Sequence, residues 1–185
     1  MTRLIGTGTL RFHPSPVTRA RPELPDELRV DLDPQPGTGF RDAVAVAREL
    51  RGLLDGAGLE GLPKTTGGRG LHVTVPIEPR WSWQDVARAQ EALARELVRR
   101  MPQAATIERL KRDRGARVYV DHGQFLVAAA YSIRPVPRAL VSAPLTWDEL
   151  ESAEPGDFDV ATMPERFRRL GDLRSAPAGS LEALL

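Results

Sequence analysis

The chain has no cysteine among its 185 residues, which excludes disulfides and removes cysteine-ligated zinc and iron–sulfur centres from consideration. It also lacks any long apolar run and any charged-then-apolar leader, so no membrane span or secretory signal is expected, and the reading is of a soluble cytoplasmic protein. An excess of charge is missing too: 26 Lys+Arg stand against 25 Asp+Glu, a net charge of +1. Nucleic-acid binding gains no support from bulk charge, and any basic footprint has to be local. Repeats, low-complexity tracts and a composition break that would mark a domain boundary are absent as well.

What is present reads as one globular domain, 41% hydrophobic and 28% charged, long enough to bury a core. GTLRFHPSPV suggests a short strand ending at His13-Pro14, followed by a Pro- and charge-rich loop. RVDLDP alternates as a strand, and PQPGTG closes it as a turn. Phe40, Val44, Ala47, Leu50 and Leu54 then fall at helical spacing and run into the glycines of LLDGAGLEG. LPKTT is extended, GGRG turns, and LHVTVPI alternates strongly as a strand. Ser82 with Asp85 resembles a capping box, and Val86, Ala89, Leu93 and Leu97 carry a second amphipathic helix to about Arg100. TIERLKRDRG reads as a basic helix or turn. RVYVD and FLVAAAYS read as two strands separated by His122-Gly123-Gln124, and LTWDEL and TMPERFRRL as two short capped helices. Interleaved strands and helices with short connections predict an α+β single-sheet domain, an α/β-sandwich-like arrangement.

Three groups of residues could carry chemistry. In RVDLDP, Val30 and Leu32 point to one face and Asp31 and Asp33 to the other, so two carboxylates share a face and call for a compensating partner. Asp121 ends RVYVD in the same way. If the two strands are neighbours, three carboxylates converge as hard divalent cations, Mg²⁺ or Mn²⁺, require. The alternative is plain: an Asp before Pro opens turns, and a strand end is a common place for a solvated Asp.

KTTGGRGLH is neither a Walker A motif nor GxGxxG. Even so, Gly67 and Gly68 let backbone N–H groups approach an anion, Thr65 and Thr66 add hydroxyls, and Lys64 and Arg69 add charge that suits a triphosphate. It could equally be a glycine turn joining two strands. His13 and His72 are structural histidines or donors to phosphate and ribose oxygens. Arg134, in YSIRP, could fork onto phosphate, and KRDRGAR could touch a polynucleotide or be a solvated face.

RVDLDP, KTTGGRGLHVTVPI, RVYVD, AYSIRPVPRALVSAPLTWDEL and TMPERFRRLGD, in that order from about His13 to Asp172, resemble the polymerase domain of bacterial ligase D. That family belongs to the archaeo-eukaryotic primase superfamily and serves non-homologous end joining of DNA. The resemblance implies a primase-polymerase core, an RNA-recognition-like sheet flanked by helices. It implies that Asp31, Asp33 and Asp121 hold two Mn²⁺ or Mg²⁺ ions; that Thr66, His72 and Arg134 contact the triphosphate, Thr66 standing where the family usually has serine; and that His13 lies near the nucleotide sugar. The implied reaction adds nucleotides to DNA 3′ ends. Implied partners are nucleoside triphosphates, DNA ends, the Ku protein and a separate DNA ligase, in the cytoplasm at the nucleoid.

Two departures shape the expectation. Residues 1–185 read as a single minimal domain lacking the family's N-terminal section. The loop after Asp121 reads as only His122-Gly123-Gln124, and the family's loop arginine has no counterpart. A non-catalytic nucleotide- or DNA-binding accessory protein with the same core is therefore the alternative to a polymerase.

Overall fold

Strand alternation sorts ELRVDLDP into two faces, and the fold is built on that division. In the computed structural model, which describes residues 8–185, this segment is β1 (Glu27–Pro34) at the centre of a five-stranded sheet. The other strands are β2 (Leu62–Thr65), β3 (Leu71–Pro76), β4 (Ala105–Thr106) and β5 (Val118–Asp121), and the order across the sheet is β2-β3-β1-β5-β4. β1 is antiparallel to β3 and to β5, β2 is antiparallel to β3, and β4 runs parallel to β5.

Leu28, Val30 and Leu32 of β1, Leu71, Val73 and Val75 of β3, and Val118 and Val120 of β5 are all buried on one face. Two helices cover it: α1 (Phe40–Gly56) through Val44, Ala47, Leu50 and Leu54, and α2 (Trp83–Arg100) through Val86, Ala89, Leu93 and Leu97. A slip of one residue in any of these strands would send its apolar set to the opposite face, so burial fixes the register. The register in turn fixes what lies opposite what on the polar face. The α2 capping box is present: the Asp85 amide donates to Ser82 Oγ at 3.2 Å, and the Ser82 amide donates to Asp85 Oδ2 at 3.0 Å. Arg99 and Arg100 pair with Glu96 in the last turn, where cations also favour the helix dipole. Among the described residues no helix is long and apolar enough to cross a membrane.

The polar face is covered by irregular backbone, and here the sequence expectations need correction. Residues 9–13 and 125–130 hold no regular strand. Their backbone bonds are single ties: the Ala129 amide donates to Phe12 O at 2.8 Å and the Ile133 amide to Leu10 O at 3.1 Å. Prolines on either side, Pro14 and Pro16, Pro135 and Pro137, remove the donors that a ladder needs. Tyr131 has φ 65°, which breaks the extended alternation outright. His122-Gly123-Gln124 is thus not a hairpin turn but the start of a long irregular cover.

TIERLKRDRG resolves into the end of β4 and one 3₁₀ turn, Lys111–Asp113, and LTWDEL into a single 3₁₀ turn at Glu149–Glu151. TMPERFRRL forms α3 (Met163–Leu170) without the expected capping bond, because Thr162 Oγ1 accepts instead from the Asp159 amide at 3.0 Å, upstream of the helix.

Ser82→Ala should cost about 0.5–2 kcal/mol, and Leu50→Ala, which empties a fully buried site, about 2–5 kcal/mol. Urea unfolding of both variants measures the two, and equal losses would show that the cap of α2 matters as much as its neighbour's packing.

Candidate active site

Register on the polar face lines up one row of ionisable side chains across four strands. Lys64 of β2 is paired with His72 of β3, His72 with Asp31 of β1, and Asp31 with Asp121 of β5. Side chains paired across antiparallel strands share a face, so cation, imidazole and two carboxylates follow one another over three strand spacings. Asp33 lies one pleat further along β1, opposite Tyr119.

The electrostatics of the row are unbalanced. His72 Nε2 is 3.4 Å from Asp31 Oδ1, and it is the sole ion-pair partner of Asp31, Asp33 and Asp121 among the described residues. Burial pushes the imidazole below its ordinary range and the neighbouring Lys64 pushes it further, so at neutral pH it offers Asp31 no full charge. Burial also raises the Asp121 carboxyl; the Gly123 amide, donating at 3.1 Å, opposes this, and the like charge of Asp31 reinforces it. Two carboxylates therefore face each other without a cation between them.

Asp33 is exposed, but its orientation is set. Gln35 donates from Nε2 to Asp33 Oδ2 at 3.2 Å and accepts from the Arg114 guanidinium at 3.3 Å. Arg114 itself is buried, stacked 3.4 Å over the Tyr119 ring. This arginine belongs to the basic stretch KRDRGAR, and its burial removes it from the face that Lys111 and Arg112 leave to solvent.

The glycine segment turns directly beside these carboxylates. Gly67 has φ +71°, and a Cβ on Gly70 would stand 2.8 Å from Leu32 O, so only glycine lets the loop lie against the end of β1. The Gly68 amide donates to Thr66 Oγ1 at 3.1 Å, which leaves the Thr66 hydroxyl proton for another acceptor. Over Gly68 lies the Arg134 guanidinium, 3.1 Å from where a Cβ would sit. Arg134 Nε is buried with no hydrogen-bond partner, and no carboxylate pairs with the group among the described residues. An uncommitted guanidinium beside glycine amides and a hydroxyl is chemistry for an anion.

Two clefts meet at Asp33, Thr66 and Arg134. One runs along the glycine loop with Gly67, Gly68 and Arg69; the other contains Asp31, His72 and His13. The structure thus brings together Asp31, Asp33, Thr66, Gly67, Gly68, Arg69, His72, His13 and Arg134, with Asp121 opposite Asp31. Lys64 stands behind His72 on the same row and lines neither of these two clefts. It is 4% exposed, and its three donors are taken within the protein.

Sequence reasoning passed over Arg29, whose guanidinium holds Pro14 O and Phe125 O at 2.7 Å each and so ties the cover to β1. Its alternation with Asp31 was the available signal. Ser142, Gln35 and Arg114 gave none.

Among the described residues no group of three or more His, Asp or Glu side chains is gathered closely enough to hold a metal ion by itself. The donors present are open carboxylates, two opposed and a third beside them, with a neutral imidazole. They fit a hard divalent cation of the Mg²⁺ or Mn²⁺ kind, which takes one or two protein carboxylates and completes its shell with water and substrate phosphates.

Comparison with known proteins bears on the chain as a whole. The family described as "LigD, primase-polymerase domain" matches residues 1–174. The "Multifunctional non-homologous end joining protein LigD" of Pseudomonas aeruginosa is 32% identical over 169 residues, 88% of this chain and 20% of that protein. The "Bifunctional non-homologous end joining protein LigD" of Bacillus subtilis is 30% identical over 168 residues, 88% of this chain and 27% of that protein. The chain therefore spans about a fifth to a quarter of the length of these relatives. The structure titled "Polymerase Domain from Mycobacterium tuberculosis Ligase D in complex with DNA" aligns with a TM-score of 0.74 at 31% identity, covering 83% of this chain and 57% of that one.

The opposed carboxylates set a stability prediction. The Asp121 carboxyl is raised in the folded state, so its ionisation costs stability as pH rises from its unfolded value of 3.8 through its folded one. In metal-free buffer at pH 7, Asp121→Asn should be more stable than wild type by about 0.2–1 kcal/mol, the scale of a directly opposed cross-strand pair. The gain should fade below pH 3.8, and Mn²⁺ should stabilise the wild type more than the variant. A variant no more stable at pH 7 would show that water already relaxes the pair.

Proposed function

Because the chain belongs to the LigD primase-polymerase family, we propose that it is a divalent-metal-dependent nucleotidyltransferase that extends DNA 3′ ends during end joining. The observation that carries this reading is the meeting at one cleft of opposite needs: carboxylates without a cation and a guanidinium without an anion. A nucleoside triphosphate with its Mg²⁺ or Mn²⁺ satisfies both at once.

Asp31, Asp33 and Asp121 would hold the metal, which when bound neutralises phosphate charge and lowers the pKa of an attacking hydroxyl. Arg134, the Thr66 hydroxyl and the Gly67 amide bind the triphosphate, the Gly68 amide holding Thr66 in place from behind, with the exposed Arg69 at the outer edge of the same loop. His72 donates to a phosphate oxygen from its place beside Asp31, and His13 stands across the cleft, where the sugar would lie. The primer 3′ hydroxyl attacks the α-phosphate in line, the bond to the β-phosphate breaks, and pyrophosphate leaves. Preorganised donors around the transferred group contribute most, since they need no rearrangement as charge develops. DNA ends are the proposed second substrate, and Ku with a separate ligase the proposed partners, by analogy with relatives named for non-homologous end joining.

Primer extension on a duplex with a recessed 3′ end, with Mn²⁺ and either ribo- or deoxyribonucleotides, tests the proposal. Asp31→Ala/Asp33→Ala should reduce extension to background, and Arg134→Ala should cost about 10²–10³-fold in kcat/KM. Folded wild-type protein that retains nucleotide or DNA but extends nothing would assign the accessory-binder role instead.

A further inference from the structure

A buried ammonium is stable only where each N–H finds an acceptor. Lys64 Nζ lies 2.6 Å from His72 Nδ1, 2.6 Å from Ala128 O and 2.8 Å from Ser142 Oγ. The Ser142 hydroxyl donates its own proton to Thr65 O at 2.7 Å, so toward Lys64 it can only accept. Ala128 O is an acceptor by nature. Three N–H groups and three partners leave one assignment for the third: His72 Nδ1 accepts, and the ring proton is on Nε2, the atom 3.4 Å from Asp31 Oδ1. The opposite tautomer would set an N–H against the ammonium and a lone pair against the carboxylate.

We propose that Lys64 is a positioning residue: its three-way bonded ammonium fixes His72 as the Nε2–H tautomer, so that the imidazole presents a donor, not a lone pair, to the cleft. For a phosphate oxygen this is the difference between attraction and repulsion. Where Lys64 carries its third proton the tautomer follows from the hydrogen-bond inventory, whereas its use on a triphosphate rests on the nucleotidyltransferase reading above. Lys64 then touches no nucleotide, and its removal is felt through His72. The surroundings are rigid enough for this, because Thr65 Oγ1 also accepts from the Ala143 amide at 2.9 Å and holds the Ser142 segment against β2.

The first measurement is the ¹⁵N spectrum of the histidine rings in the wild-type protein and in Lys64→Met, with His72→Gln identifying the signal. The expected result is the Nε2–H pattern in wild type and its loss or averaging in Lys64→Met. A wild-type ring protonated on Nδ1, or a tautomer indifferent to Lys64→Met, overturns the proposal.

The second is a double-mutant cycle in primer extension. Lys64→Met alone should cost about 10–100-fold, mostly in nucleotide KM, but less than about 2-fold further in a His72→Ala background. Full additivity would show that Lys64 acts independently and also overturns it. Thermal unfolding of Lys64→Met checks the fold, and Lys64→Gln, which keeps an N–H donor, should recover part of the loss. If wild-type protein extends no primer, the nucleotidyltransferase reading fails while the ring spectrum still decides the tautomer.

Discussion

The constraint on which the rest depends is the placing of Asp31 directly opposite Asp121 on neighbouring antiparallel strands. Like charges in register repel, and nothing local to the two aspartates requires them to stay together. What holds them is on the far side of the sheet. Val30 and Leu32 on β1, and Val120 on β5, are buried against α1 and α2, and no strand can shift by one residue without exposing its apolar set. The hydrophobic face thus supplies the energy that keeps an electrostatically unfavourable arrangement on the polar face. That separation of roles is how a sheet can hold a charged site rigid before any ligand arrives.

Legibility in the sequence follows the same division. α1, α2, β1, β3 and β5 could be read because each buries one face and so carries a clean period of 3.6 or 2. The convergence of Asp31 and Asp121 followed from strand ends alone, given that the strands are neighbours. The cover over the polar face could not be read. FLVAAAYS has strand-like composition, yet its apolar side chains close over the site instead of joining a ladder, and the positive φ of Tyr131 has no sequence mark. The surroundings of Lys64 were illegible for a related reason. Composition showed a cation next to a glycine loop but not the pleat, which turns Lys64 onto the row of His72 and away from the loop's groove.

Energetically the site is a set of buried polar groups that are satisfied in some places and open in others. The satisfied ones, Lys64, Arg29 and Arg114, have their donors committed to carbonyls and side chains, and they fix the geometry. The open ones, the opposed aspartates and Arg134, are where the structure is incomplete in itself. Burial draws Lys64 down to about 7, with Asp31 pulling the other way. Near neutral pH Lys64 therefore stands close to half-ionised, and the carboxylate two places along the row favours its charged form.

Tyr131 shows how this arrangement is kept in place. A non-glycine residue at φ 65° costs of order 1–3 kcal/mol and persists only where its surroundings over-determine it. Here they do: the Tyr131 amide donates to Ser142 O at 2.8 Å, its hydroxyl donates to Asp172 Oδ1 at 2.9 Å, and its ring meets Phe167 edge-on at 5.4 Å. The sharp turn lets residue 132 pair back with residue 142, the Ser142 amide donating to Ser132 O at 2.9 Å. Ser142 is the residue that accepts from Lys64, and Arg134, two residues after Ser132, is the guanidinium over Gly68. One strained residue therefore fixes two arms of the site, the lysine behind His72 and the arginine above the glycine loop. Relaxing Tyr131 would loosen both arms together while leaving the carboxylates on β1 and β5 where the core puts them.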